Sequence, residues 1–308
     1  MKNHNPKYAF YYLLSLVALI FTSVSVVMIV FEIIDKSVFD SLAYYGSISN
    51  QGSLRFGISA LLVSSPIYFI CVNLINRGLK SGEIKKDSLL RNWLTYFILA
   101  VSAVIILGSV VGIINSFLSG ELTLKSVLRL LTIVIVSALV FSFYLYDIKR
   151  DEIKDKDRII KAFFFSSLVV VAIVFVSSWF FVDSPKIARE RKIDQKLLNN
   201  IYSVESYVNI YYEKKEILPE SLNDLSGVID GGMSEESMID PRTGDRIDYT
   251  KLGDESFQLC ANFKTDSYES ERNRAYPVYM DDGSKVYVEG QNCFEGNLWA
   301  KERLLEKK

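Results

Sequence analysis

Residues 162–187 read AFFFSSLVVVAIVFVSSWFFVDSPKI, and the boundary inside that stretch divides the chain. Up to Val182 run 21 residues without a charge; then Asp183, Ser184, Pro185 and Lys186 follow at once. A bilayer core roughly 30 Å thick is crossed by about 20 helical residues, and in lipid the backbone must satisfy its own hydrogen bonds, so the uncharged part predicts a spanning helix. The Asp-Ser-Pro group predicts a fresh helix start in water, because Ser or Asp caps a first turn and Pro fits inside it.

Towards the amino terminus the same kind of run recurs at residues 8–31, 56–76, 92–120 and 130–146. The last is short at 17 residues, but Val127 and Leu128 extend it past Arg129, whose long side chain can snorkel to the headgroups. Five spans are therefore expected, at 8–31, 56–76, 92–120, 127–146 and 162–182, making residues 1–182 an α-helical transmembrane bundle. One such run alone would suit a buried helix of a large soluble protein; five in one half do not. The first run has a basic flank like a secretory signal, yet its 24 apolar residues exceed a signal core and no small-residue cleavage site follows, so it is expected to stay as an anchor.

The formal charge of −1 hides two opposed halves. Residues 1–182 hold 17 basic and 11 acidic residues, whereas residues 183–308 hold 18 and 25. A single-domain soluble enzyme is excluded by the repeated spans, and an acidic water-facing half argues against nucleic acid as a partner. Lys and Arg resist transfer across a membrane, so their distribution predicts orientation. The amino-terminal tail with the second and fourth loops collects 13 of them, against 4 on the other side. Those segments are expected in the cytoplasm of a bacterial cell with a multi-pass inner-membrane chain, and five crossings then put residues 183–308 outside.

The cores of the runs contain no Asp, Glu, Lys, Arg or His, which argues against a proton-coupled pump. Ser23, Ser25, Ser64, Ser65, Asn73, Ser102 and Ser109 suit hydrogen bonds between helices, and equally a polar pathway. Pro66 is expected to kink the second helix. Gly108 and Gly112 form a Gly-x-x-x-Gly spacing that lets a neighbouring helix approach closely. Glu32 is expected at the interface, and Cys71 reads as a small apolar residue.

Beyond Pro185, Ile193, Leu197, Ile201, Val204, Val208 and Tyr211 recur at helical spacing, so one long helix with a core-facing stripe should run until shortly before Pro219. Asp240 to Asp245 reads as a tight Pro-then-Gly turn. Strands are expected at residues 246–250, 256–263, 277–280 and 285–289, with Asp281, Asp282 and Gly283 as a hairpin loop. Residues 183–308 should thus form a small α+β domain, a long helix packed on an antiparallel sheet, and are numerous enough to fold alone. Cys260 and Cys293 are the only cysteines there, and an even pair outside the cytoplasm suggests a disulfide, the alternative being two buried thiols.

Tyr211 and Tyr212, then Leu218, Pro219, Ser221, Leu222 and Leu225, then Asp240, Pro241, Gly244, Tyr249, Phe257, Leu259, Cys260, Ala261 and Phe263 resemble the globular part of type II secretion pseudopilins. The resemblance covers residues 193–294 and implies a pilin-like domain used for interaction in the cell envelope. True pseudopilins start with a short basic leader, a Gly cleavage point and a helix carrying an assembly Glu; here the preceding helix is the fifth span and has neither, which puts leader cleavage and pilus assembly in doubt. Some pseudopilins bind calcium through loop carboxylates, which makes Asp240, Asp245 and Asp248 the candidate ligands, although no EF-hand spacing occurs and solvated turn caps account for them as well. The membrane half resembles, in overall pattern, an uncharacterised bacterial membrane-domain family of about four helices.

Catalytic signals are absent from the sequence. The single histidine is His4, no phosphate-binding glycine loop, dinucleotide turn or His-Glu-x-x-His helix occurs, and the outer half lacks the ligands for zinc. The expectation is a non-enzymatic membrane protein without cofactor, its partners the lipid bilayer and an envelope protein; the alternative is a transporter or channel component with an accessory outer domain.

Overall fold

A computed structural model describes residues 6–38, 51–83, 88–149, 158–227, 235–267, 285–296 and 298. Two compact units separate at Val182, Met1–Val182 and Asp183–Lys308. The first contains α1 (Pro6–Ser37), α2 (Gln51–Lys80), α3 (Leu89–Leu118), α4 (Leu124–Lys149) and α5 (Arg158–Ser178). All five are long and apolar enough to cross a membrane.

The ends of these helices sort into two groups by their contacts. At one end Arg91 of α3 bridges Asp147 of α4 at 2.8 Å, and Tyr8 of α1 bonds Glu83 just beyond α2. At the other, Lys125 and Arg129 of α4 share Asp35 of α1, while Lys36 of α1 donates to the Phe181 carbonyl at 2.7 Å. Successive helices therefore run in opposite directions. Arg91, Lys125, Arg129 and Asp147, which lie outside or at the margins of the uncharged runs, are drawn into the helices, because pairing offsets the cost of burying each charge. Arg129 meets a carboxylate and the ring of Phe31, rather than reaching only for headgroups. Glu32 is buried against protein one turn before Asp35, near the end of α1.

Two helices end sooner than their apolar runs. α3 stops at Leu118, where Ser119 and Gly120 turn the chain, Gly120 with φ +71°. α5 stops at Ser178; three-residue turns through Trp179, Phe180 and Phe181 follow, and Ser178 Oγ bonds back to the Phe175 carbonyl at 2.6 Å. Serine satisfying its own backbone in this way competes with helix continuation.

The second unit starts with α6 (Pro185–Lys215), capped by Ser184, whose Oγ accepts from the Ile187 amide. Short 3₁₀ turns at Leu222–Gly227 and Glu235–Ser237 lead to β1 (Asp248–Lys251), β2 (Phe257–Phe263) and β3 (Gly290–Glu295), an antiparallel sheet in the order β1-β2-β3. Leu197, Ile201, Val204 and Val208 of α6 meet Phe257, Leu259 and Phe263 of β2 in one core, joined by Leu218, Leu222 and Leu225.

Two expectations need correction. The buried face of α6 takes in Ala188, Arg191 and Asp194 before Leu197 and reaches Tyr212, while Ile193 is half-exposed and Tyr211 packs against the core only in part. Residues 285–289 form no strand: Tyr287 instead exchanges bonds with Ser267, and the Glu289 amide donates to Asp266. The third strand is Gly290–Glu295, held in register by β2 although Gly, Gln and Asn carry little strand preference of their own. The expected strand at 277–280 and hairpin loop at 281–283 lie outside the described residues.

Candidate functional site

Side chains of α1, α2, α4 and α5 leave a cavity of about 160 Å³ inside the membrane unit. Its walls are mainly apolar. Phe69 of α2 meets Phe164 of α5 edge-on with ring centroids 5.1 Å apart, and Phe143 of α4 meets Phe163 of α5 in the same way. Thr22 of α1 and Ser64 of α2 bond each other across the adjoining seam at 2.9 Å. Towards the Arg91–Asp147 end the wall turns polar, with Tyr68 and Asn76 of α2 and Tyr144 of α4. Asn76 and Tyr144 also border a second space of about 40 Å³, lined by Ser15, Thr95 and Asp147 among others.

Of the polar residues singled out in the sequence, Ser23 lines this cavity, whereas its tyrosines and Asn76 are not marked by any motif. Tyr68, Asn76 and Tyr144 lie within or at the edges of the apolar runs, and α2 and α4 bring them to one cavity through their common packing on α1. The seam between α1 and α2 is tight at Gly57, where an added Cβ would lie 3.1 Å from Ile29 and 3.5 Å from the Ser25 carbonyl. Of the expected packing residues, Gly112 faces Leu130 of α4 at 3.3 Å from its would-be Cβ, Gly108 has nothing within 4 Å, and Pro66 sits on an exposed face of an α2 that runs through it. Cys71 is a buried free thiol.

In the second unit Asp194 is the focus of a polar network. Its carboxylate is fully buried and accepts from the Thr265 amide and hydroxyl, from the Lys264 amide and, at 2.6 Å, from Arg242 Nη2. Burial works to lower the Arg242 pKa, but the bond to Asp194 and the charges of Asp194, Asp240 and Glu190 outweigh it and hold the guanidinium above its ordinary value. Every strong acceptor position on Asp194 is thus occupied, and the group ties α6 to the turn at Pro241 and to the end of β2. Asp240 accepts from the Arg242 amide within that turn, while Asp245 and Asp248 are exposed. Among the described residues no three His, Cys, Asp or Glu side chains converge.

Cys260 and Cys293 are disulfide-bonded and directly opposite each other on β2 and β3. The bridge lies on the outward face of the sheet: Phe257, Leu259 and Phe263 point into the core, Cys260 lies between them and Cys293 is exposed.

Residues 9–146 match a family described as a domain of unknown function (DUF5671). The match takes in α1, α2, α3 and nearly all of α4, and ends before α5. No pseudopilin family is matched over residues 193–294, whose motif residues serve as core and turn positions of the α+β unit. No curated protein and no solved structure gives a match. The five apolar helices and the matched domain describe a multi-pass membrane protein.

Proposed function

We propose that this protein is a non-enzymatic component of the bacterial cell envelope, anchored in the inner membrane by α1 to α5, that holds its α+β unit outside the cytoplasm to bind another envelope protein. The bonded Cys260–Cys293 pair carries the reading, because persistent disulfides belong to oxidising compartments. The 13 to 4 distribution of Lys and Arg between the two sets of loops supports the same side for the unit. A binding role without catalysis is supported by Asp194, whose acceptor positions are taken up by structural bonds. The pilin-like motifs support recognition of an envelope partner, and Ile217 and Leu252, both exposed at the end of the unit where Tyr249 bonds to Pro219, offer apolar contact surface.

A photo-crosslinking residue placed at Ile217 or Leu252 of the full chain in intact cells should give a discrete protein adduct, absent when the same residue is placed at the exposed Leu107 of α3. Failure to form that adduct at either position would remove the binding role. A fusion at Lys308 to a reporter that fluoresces only in reducing surroundings should stay dark; brightness would place the unit in the cytoplasm.

A further inference from the structure

The cavity among α1, α2, α4 and α5 has a size, a polarity and a charge balance that together select a ligand. An apolar space of about 150 Å³ accommodates a benzene-sized group and stays dry without one. At about 160 Å³, the cavity is of that capacity. Its Asn76 amide and the Tyr68 and Tyr144 hydroxyls form a polar end, and such groups bind best to a hydrogen-bonding partner when water is excluded. Asp147 is the only charged side chain among the described residues lining either space, and it is bridged to Arg91 at 2.8 Å. A charged head group would find no counter-charge left over. The cavity is partly open rather than sealed, so a molecule can enter it from outside the bundle.

The geometry points to a binding site for an uncharged amphiphile drawn from the bilayer, its ring-sized apolar part between Phe69, Phe143 and Val140 and its hydroxyl or carbonyl on Asn76, Tyr68 and Tyr144. This site gives the bundle a role beyond anchoring and stands independently of what the second unit binds.

The full chain in phosphatidylcholine vesicles tests it with two probes, a phenyl-diazirine bearing a hydroxymethyl group and its carboxylate counterpart. The hydroxymethyl probe should label residues 68–76, 136–144 and 163–171 saturably and be displaced by the same alcohol without the diazirine. Asn76→Leu should weaken that labelling about tenfold, the loss of one good hydrogen bond. Ser167→Phe, which fills the cavity from α5, should abolish it while the Cys260–Cys293 bond stays formed. Unsaturable labelling spread over the lipid-exposed face of α3, or equal labelling by the carboxylate, overturns the site. If Ser167→Phe does not fold, the Asn76→Leu comparison decides alone, and unchanged labelling there refutes it.

Discussion

Asp194 holds four donors in a place water does not reach, so its removal leaves a hydroxyl and two amides without their acceptor and takes from the partly buried Arg242 its shortest ion pair. Asp194→Ala should cost about 3–5 kcal/mol, the range for breaking a buried charge pair, read as a loss of thermal stability of the second unit. Tyr249 makes a smaller and pH-dependent contribution. Burial, then the charges of Glu220 and Asp224, push its pKa up to about 12, and its hydroxyl donates to the Pro219 carbonyl at 2.8 Å. The unfolded chain releases this proton near pH 10 and the folded chain only near 12, so the stability the group provides is whole below pH 10 and is lost as pH rises through that window. Tyr249→Phe should cost about 1 kcal/mol at neutral pH, and chemical denaturation should show the deficit shrinking as pH rises from 10 towards 12. Neither role is visible in the sequence, where Asp194 is one acidic residue on a charged helix face and Tyr249 one aromatic residue in a strand. A network of this kind depends on contacts between residues 48 and 71 positions apart.

Elements were easier to read where one periodicity acts alone. The apolar runs and the stripe on α6 announce helices, since a helix needs only its own backbone and one buried face. Leu197, Ile201, Val204 and Val208 of that stripe are buried as expected, and Asp194, polar by composition, joins them through its partners rather than through hydrophobicity. β3 escaped notice for the opposite reason: its residues have weak strand preference, and pairing with β2 imposes the conformation. Of the Gly-x-x-x-Gly spacing, Gly112 lies close against Leu130 of α4 and Gly108 against nothing, while a further tight seam falls at the isolated Gly57. Gly57→Val should overpack the α1–α2 seam at a cost of about 1–3 kcal/mol, seen as earlier thermal unfolding of the detergent-solubilised chain. The equivalent change at Gly108, which has nothing within 4 Å, should leave that transition in place.

At the scale of the whole molecule, two stretches of chain obey different solvents. Five helices are apolar on nearly every face because lipid is their surroundings, whereas the α+β unit hides its apolar residues in one core. That contrast is carried by composition and is readable residue by residue; the cavity and its tyrosines are not, because they arise from which helices lie side by side. Replacing Cys260 and Cys293 together by Ser should cost the second unit about 3–4 kcal/mol in the chain-entropy model, for a closed loop spanning a separation of 33 residues, measurable by denaturant titration.

Because that bridge lies on the outward face of the sheet, a bulky reductant that cannot enter lipid has direct access to its sulfurs without first melting the core. The protein thus carries its own compass: whichever side of the membrane lets such a reagent open the bond in sealed cells or inverted vesicles is the side on which the sheet resides.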